Sequence, residues 1–309
     1  MAHNCVMSPP VLVIFPGALG DLICLIPALR AIARRNPDAT LELMARGELA
    51  RFAIGHLGFA HGHSIDRREV SQLFVPGGGE TAEARAFFGA FEHIYSFFAA
   101  DDARFVAALR AAAAGGISCY PFRPAGDGHV ARCYLDAIGA PSDEALESTI
   151  ELSVDELDAA RDRLGAFGLA PGEFVAIFPG SGSRAKNWPA ASFAALARRM
   201  RERTRVLIVL GPAEAGAAIY FAECGAEIIK DLELWEVAAI ARMARAFVGN
   251  DSGVSHLAAA AGGRGVVLFG PTDPARWRPL GAVRIICGEP IESIAVEEVA
   301  AALKLEASL

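Results

Sequence analysis

Residues Phe247–Trp277 read FVGNDSGVSHLAAAAGGRGVVLFGPTDPARW, and they carry the strongest indication of the fold. An apolar run ends at Gly249, a helix-period segment begins with Asp251 and Ser252, and a second apolar run follows at residues 266–269. Strands that are apolar throughout and separated by helices are typical of parallel sheets covered on both faces. The stretch therefore predicts a strand, a helix and a second strand of an α/β sheet.

The same alternation of apolar runs and helical segments continues along the whole chain. Further strands are predicted at residues 11–15, 41–45, 93–98 and 117–120 in the first half and at 174–178, 206–210 and 227–229 in the second. Between the halves, Ser153 and Glu156 have the spacing of a capping box that begins a charged helix. We predict two doubly wound Rossmann-like domains facing across a cleft, residues 1–153 and 154–309, with the last helix able to pack back on the first domain.

The composition excludes several classes of protein. Of the 309 residues 53% are hydrophobic, and the net charge is −7. The apolar content is too high for a disordered chain, and the acidic balance lacks the footprint of nucleic-acid binding. The first charged residue is Asp21, so no basic segment opens a signal peptide. Six dispersed cysteines predict reduced thiols in a cytoplasmic protein.

The first candidate motif is the strand, glycine turn and helix of residues Phe15–Ile32. Gly17 and Gly20 allow the turn, and Asp21 follows at the start of the predicted helix, where ligands bind in open parallel sheets. An isolated aspartate there is also an ordinary helix cap, so both interpretations stay open. The G-x-x-G spacing differs from the dinucleotide fingerprint G-x-G-x-x-G.

The second motif is FPGSGSRAKNWP, residues Phe178–Pro189. Backbone N–H groups around Gly182, together with the hydroxyls of Ser181 and Ser183, can hold phosphate oxygens, and Lys186 supplies a positive charge. The plain alternative is that these residues only turn the chain. Lysine occurs at only three positions in the sequence, which favours a specific role for this one.

The third motif is the predicted helix start within GNDSGVSH. The N–H groups of Ser252, Gly253 and Val254 would point at an anion, with Asp251 beside them and His256 one turn later. In isolation, a capping aspartate and a packed histidine would explain the pattern better. Together with the lysine loop on the same predicted sheet, the motif favours a pyrophosphate site.

A metal site is not predicted. His56, His61 and His63 lie close in sequence, but no carboxylate or cysteine stands at ligand spacing beside them. The chain also lacks the isolated D-x-D after a strand with which many sugar-nucleotide enzymes hold a divalent ion.

These three motifs, in this order and ending in FGPTDP, resemble glycosyltransferase family 9, the ADP-heptose:lipopolysaccharide heptosyltransferases, which have the GT-B fold. The resemblance implies an inverting, metal-independent transfer of heptose from ADP-heptose to a lipid-linked oligosaccharide of the lipopolysaccharide core. It also implies a cytoplasmic protein with peripheral contact at the inner face of the inner membrane, and no cofactor.

The resemblance assigns roles to single residues. Asp21 matches the general base, and Lys186 matches the lysine that neutralises the diphosphate. Ser181 matches a residue that contacts phosphate, Glu214 an acidic residue near the ribose, and Leu232 the loop that contacts adenine. The helix start described above matches the remaining donor-binding positions. Asp21 and Asp251 are predicted to lie on different domains, so that domain closure assembles the site.

The acceptor side is matched less closely, because Pro16 stands where the family commonly has arginine or lysine. The candidate acceptor-binding residues are Gly17, Gly20, Arg46, Arg67, Arg68 and Arg123. Other functions compatible with two α/β domains are a diverged nucleotide-sugar-binding protein, a transferase for another sugar, an epimerase and an NAD-dependent oxidoreductase.

Overall fold

The computed structural model describes residues 10–212, 214 and 218–303. The chain divides into two compact units. The first comprises residues 1–18 and 25–146, and the second comprises 19–24 and 147–309. Each unit is built around one parallel sheet with helices between successive strands.

The first unit contains a five-stranded sheet in the order β3-β2-β1-β4-β5. Its strands are β1 (Pro10–Ile14), β2 (Thr40–Ala45), β3 (His61–Ser64), β4 (His93–Ser96) and β5 (Gly116–Cys119). The helices are α1 (Leu19–Arg35), α2 (Gly47–His56), α3 (Arg68–Gln72), α4 (Ala82–Phe88), α5 (Ala103–Ala112) and α6 (Val130–Ala137). All adjacent strands are parallel, as their apolar character predicts.

The second unit contains a six-stranded parallel sheet in the order β11-β10-β9-β6-β7-β8. Its strands are β6 (Phe174–Phe178), β7 (Arg205–Leu210), β8 (Glu227–Lys230), β9 (Ala246–Asn250), β10 (Gly265–Phe269) and β11 (Val283–Cys287). The helices are α7 (Val154–Gly165), α8 (Ala190–Met200), α9 (Ala218–Phe221), α10 (Leu234–Met243), α11 (Gly253–Ala260), α12 (Pro274–Trp277) and α13 (Val296–Ala302). The last helix, α13, packs on α8 within this unit.

Two strands, β3 and β11, were not predicted from the sequence, and both lie at sheet edges. The interior strands β6 and β9 are buried at every position, which produces the continuous apolar run that the sequence shows. In contrast, β3 reads HGHS and is partly exposed along its length. An edge strand is buried less completely, so its sequence need not be apolar.

The division of the chain differs from the predicted boundary at residue 153 in two places. The segment that leads to α7 already belongs to the second unit, where the Ser148 hydroxyl donates to the carbonyl of Ile23 at 2.8 Å and the Ile150 N–H donates to the carbonyl of Ala260 at 3.0 Å. Residues Leu19–Cys24, the first residues of α1, also group with the second unit. Asp21 and Asp251 therefore belong to the same compact unit, contrary to the sequence-based expectation.

Among the helices of the described residues, none combines the length and the apolar character needed to cross a bilayer.

Candidate functional site

The residues predicted to bind the donor follow four neighbouring strands of the second sheet. Lys186 follows β6, Glu214 follows β7, Leu232 follows β8 and Asp251 follows β9. Because these strands are parallel, their carboxyl ends lie at one edge of the sheet, where ligands of open α/β sheets bind. The topology thus places four separately predicted positions along the same edge.

The centre of this edge is the point where the strand order reverses. From β6 the chain adds β7 and β8 on one side, and it then returns to place β9 on the other side of β6. Lys186 and Asp251 meet across this switch point, with Nζ 2.7 Å from Oδ2. The Asp251 side chain is only 5% exposed, whereas that of Lys186 is 32% exposed. The lysine therefore offers a partly accessible cation at the place where a crevice forms in such sheets.

The start of α11 lies beside this ion pair. Ser252 is the N-cap residue, and its hydroxyl accepts a hydrogen bond from the Ser255 N–H. Asp251 precedes the cap, so the interpretation of Asp251 as the helix cap is wrong. The first-turn N–H groups, including those of Gly253 and Val254, have no partner within the helix itself and form a positive end. A lysine and a helix N-terminus next to each other are the elements of a diphosphate site.

The start of α1 packs directly against the start of α11. A Cβ atom on Gly253 would lie 2.9 Å from the backbone nitrogen of Gly20, so only glycine allows this approach. Asp21 is the third residue of α1 and is 7% exposed. It lies inside the first turn and is not the N-cap residue, and a carboxylate at this position also interacts favourably with the helix dipole. The packing brings the turn that carries Asp21 to the anion-binding end of α11.

Behind these two helix starts, Cys24 contacts His256. The Cys24 Sγ lies 3.6 Å from His256 Nδ1, and both side chains are buried. Burial raises the pKa of the Cys24 thiol far above its ordinary value, and the nearby carboxylates of Asp21 and Asp251 raise it further. The sulfur is therefore protonated at neutral pH, and it acts as a packed thiol and not as a nucleophile.

We expect iodoacetamide at pH 8 to leave Cys24 unmodified in the native protein, because the thiolate is the reactive form and this pKa is raised by burial. Cys287 is exposed and should be modified under the same conditions. Peptide mass spectrometry measures both, and denaturation before labelling serves as the control. Equal native labelling of the two thiols would contradict this description of Cys24.

The other donor-binding candidates lie in loops at the same sheet edge. The Ser181 hydroxyl donates to the Ser183 carbonyl at 2.7 Å and accepts from its N–H, which forms a tight turn in which Gly182 is exposed. Glu214 accepts from the Gly211 N–H at 3.0 Å. A Cβ atom on Gly180 would lie 2.3 Å from the Glu214 carboxyl group, so this carboxylate lies directly against the loop after β6. Leu232 is half-buried between β8 and α10.

The candidate acceptor residues follow strands of the first sheet. Arg46 follows β2 and is exposed, and Arg123 follows β5 and stacks on Phe122 with 5.0 Å to the ring centroid. Arg67 forms an ion pair with Glu69 at 2.7 Å and stacks on Phe87. The remaining candidates are Arg68, which is exposed, Gly17, which is buried, and Gly20, whose contact with α11 is described above. Arg46 and Arg68 are therefore more available to a phosphate than Arg67.

The three histidines that are close in sequence have separate environments. His63 contacts Glu42 at 2.6 Å, His56 stacks on Phe52, and His61 is exposed on β3. In the described part of the chain, no three His, Cys, Asp or Glu side chains come together as metal ligands.

The sequence profile of glycosyltransferase family 9 (heptosyltransferase) matches residues 131–304 of the chain. The chain belongs to glycosyltransferase family 9. No curated protein matches the sequence significantly. The profile covers the whole candidate donor edge and Asp251, whereas Asp21 lies outside it.

Solved structures show the same fold as this family 9 chain. A family 9 glycosyl transferase from Veillonella parvula DSM 2008 has a TM-score of 0.80 at 18% identity, with 96% of each chain covered. The E. coli ADP-heptose lps heptosyltransferase II has a TM-score of 0.72 at 18% identity, over 95% of this chain and 97% of its own. E. coli heptosyltransferase WaaC with ADP has a TM-score of 0.69 at 18% identity, over 94% and 98%.

The predicted fold class, two doubly wound parallel sheets of the GT-B type, is therefore confirmed. Membership of family 9 makes the chain a glycosyltransferase, and the alternative of an NAD-dependent oxidoreductase is wrong.

Two residues of the site were missed by the sequence interpretation. Asn250 is the residue between the buried strand and Asp251, and it is completely buried. Cys24 is one helical turn after Asp21, a spacing that places the two on the same helix face. Asn250 could have been identified as a polar residue that directly follows an apolar run, and Cys24 by its spacing from Asp21.

Proposed function

We propose that this family 9 enzyme transfers a heptose from ADP-heptose to a lipid-linked acceptor of the lipopolysaccharide core, with inversion and without a metal ion. The observation that carries the proposal is the 2.7 Å contact between Lys186 and Asp251 at the switch point of the second sheet, beside the N-terminus of α11. This arrangement suits a nucleoside diphosphate. Similar solved structures include E. coli heptosyltransferase WaaC with ADP and with ADP-2-deoxy-2-fluoro heptose.

In the proposed reaction, Asp21 acts as the general base. An acceptor hydroxyl oxygen attacks the anomeric carbon of the heptose and transfers its proton to the Asp21 carboxylate. The bond between the anomeric carbon and the phosphate oxygen breaks on the opposite face, and ADP leaves with the electron pair. Positioned general bases contribute about 10²–10⁴-fold to such reactions.

The departing diphosphate gains negative charge in the transition state. Lys186 and the N–H groups at the start of α11 are placed to stabilise this charge, because they are held in position before the reaction begins. Asp251 holds the amine of Lys186 at the site before the donor arrives. The loop of Ser181 and Ser183 contributes further phosphate contacts in this proposal, and Leu232 and Glu214 lie toward the adenosine.

The acceptor and the cellular place are also parts of the proposal. Arg46, Arg68 and Arg123 would meet acceptor phosphates at the carboxyl edge of the first sheet. We propose a cytoplasmic enzyme that contacts the inner face of the inner membrane peripherally. Since the net charge is −7, this contact would depend on local arginines and would weaken with salt.

The donor assignment predicts that ADP raises the melting temperature more than UDP or GDP at equal concentration. A ligand that binds only the native state raises the free energy of unfolding by RT ln(1 + [L]/Kd). At equal concentration, the order of the thermal shifts therefore gives the order of the affinities. A dye-based thermal shift panel measures this. Larger shifts with UDP or GDP would reject adenine recognition while leaving the family unaffected.

The transfer itself is tested by ADP release from ADP-heptose, with and without a heptose-deficient lipopolysaccharide core acceptor. Acceptor-dependent release is the expected result. ADP binding without release on any acceptor would instead indicate a diverged nucleotide-sugar-binding protein. Release only from another ADP-sugar would indicate a transferase for that sugar, and a change in donor stereochemistry without release would indicate an epimerase.

A further inference from the structure

We infer that Asn250 is a positioning residue that holds the loop carrying Lys186 in its working place. The inference rests on the proposed role of Lys186 at the diphosphate. Asn250 is the last residue of β9 and is 0% exposed. The loop leaves β6 at Pro179 and ends at Trp188, shortly before α8.

The carboxamide of Asn250 contacts both ends of this loop. Its Nδ2 donates to the carbonyl of Pro179 at 2.8 Å, and its Oδ1 accepts from the backbone N–H of Trp188 at 3.0 Å. The same Nδ2 also lies 3.4 Å from Asn187 Oδ1. A carboxamide carries both a donor and an acceptor, so one side chain can join the two ends of the loop. Neither an aspartate nor an aliphatic residue could make both contacts.

The backbone around Asn250 is held as well. The Ser255 hydroxyl, on the first turn of α11, donates to the Asn250 carbonyl at 2.6 Å. The next residue, Asp251, pairs with Lys186. Two consecutive residues thus act on one loop, since Asn250 fixes its backbone ends and Asp251 fixes the amine of its lysine. The amine of Lys186 must lie within about 3 Å of the diphosphate to bind it. Holding the loop in place strengthens this binding, because the entropy cost of ordering the loop is met before the ligand binds.

The side chain of Trp188, at the end of the loop, packs through contacts that do not involve Asn250. The indole of Trp188 is buried, donates from Nε1 to the Ile294 carbonyl at 3.0 Å, and packs edge to face on Phe193. Trp188 can therefore be altered in a way that weakens the core while the contacts of the Asn250 carboxamide are kept. Trp188→Phe is the matched control for a purely structural effect.

The experiment compares wild type, Asn250→Ser, Lys186→Ala, the double variant and Trp188→Phe. Calorimetry gives the Kd of ADP and of AMP, and amide hydrogen exchange measures the opening of residues 179–188. For Asn250→Ser we expect faster exchange in the loop. ADP binding should be about tenfold to hundredfold weaker, the range for losing the charged hydrogen bond between Lys186 and the diphosphate. AMP binding should be unchanged. The double variant should bind ADP no more weakly than Lys186→Ala, because both changes remove the same interaction. Trp188→Phe should keep the wild-type ratio of ADP to AMP affinity.

Wild-type loop exchange in Asn250→Ser, an unchanged ratio of ADP to AMP affinity, or additive losses in the double variant would each overturn the inference. If Asn250→Ser does not fold, Asn250→Asp keeps the acceptor for the Trp188 N–H and is judged by the same three measurements. Failure of the proposed function is distinguishable, because Lys186→Ala would then leave the ratio of ADP to AMP affinity unchanged. The exchange data would in that case still decide whether Asn250 holds the loop.

Discussion

Replacing Asp21 by asparagine should lower turnover by about 10²–10⁴-fold, the range for loss of a general base, while ADP affinity stays near that of wild type. Asparagine has the shape of aspartate but cannot accept the proton of the acceptor hydroxyl. The cost in stability should be small, about 0.3–1 kcal/mol, because the change removes one favourable charge from the first turn of α1. ADP release under saturating substrates, calorimetry with ADP and thermal unfolding measure the three quantities.

Asp102→Asn is the matched control for this change. Asp102 is the N-cap of α5, and its carboxylate accepts hydrogen bonds from the N–H groups of Arg104 and Phe105. Asparagine caps helices as well as aspartate does, so this variant should keep full turnover. A folded Asp21→Asn enzyme with wild-type transfer activity would remove Asp21 from the mechanism, whereas the fold and the donor site would stand.

Replacing Lys186 by alanine should reduce the stabilisation that ADP confers by about 1–3 kcal/mol, as expected for a hydrogen bond to a charged group. Turnover should fall in addition, since the charge on the departing diphosphate grows in the transition state and loses its cation. The measurement is the ADP-induced shift in the free energy of unfolding, combined with ADP release.

The change at Lys186 also leaves the buried Asp251 carboxylate without its lysine, which weakens the protein independently of the donor. The double variant Lys186→Met with Asp251→Asn restores neutrality and separates these effects. Arg198→Ala, which alters an exposed cation in the last turn of α8, away from the carboxyl edge of the sheet, is the control. Equal ADP-induced shifts in wild type and Lys186→Ala would exclude Lys186 from the donor site.

The sequence predicted the interior of each sheet well, because a strand covered on both faces must be apolar at every position. Of the four edge strands, β5 and β8 were predicted, whereas β3 and β11 were not. The sequence HGHS of β3 is not apolar and so did not indicate a strand, although the backbone of an edge strand can form its hydrogen bonds whatever its side chains are. Lys186 and Asp251 were identified from the glycine-containing segments after two predicted strands, whereas Glu214 and Leu232 were identified through the family resemblance.

Contacts between segments that are far apart in the chain could not be predicted from the sequence. Asp21 and Asp251 each have the spacing of a helix cap, and only the structure shows that neither is one. Asn250 stands within the third motif but was given no role there, because its role depends on two loop ends that come together only in the folded sheet. The sequence therefore indicated the chemistry of the site residues, but it did not indicate which distant residues they contact.

The membership of Leu19–Cys24 in the second unit has a consequence for chimeric enzymes. Exchanging the carboxyl-terminal half between two family members, as one would do to change the sugar donor, would place a foreign α11 against the resident start of α1. Gly253 tolerates no added Cβ atom against the backbone of Gly20, and Cys24 and His256, 232 residues apart, would come from different parents. The segment Leu19–Cys24 must therefore be transplanted together with the carboxyl-terminal half, so that one ancestor supplies both sides of this contact.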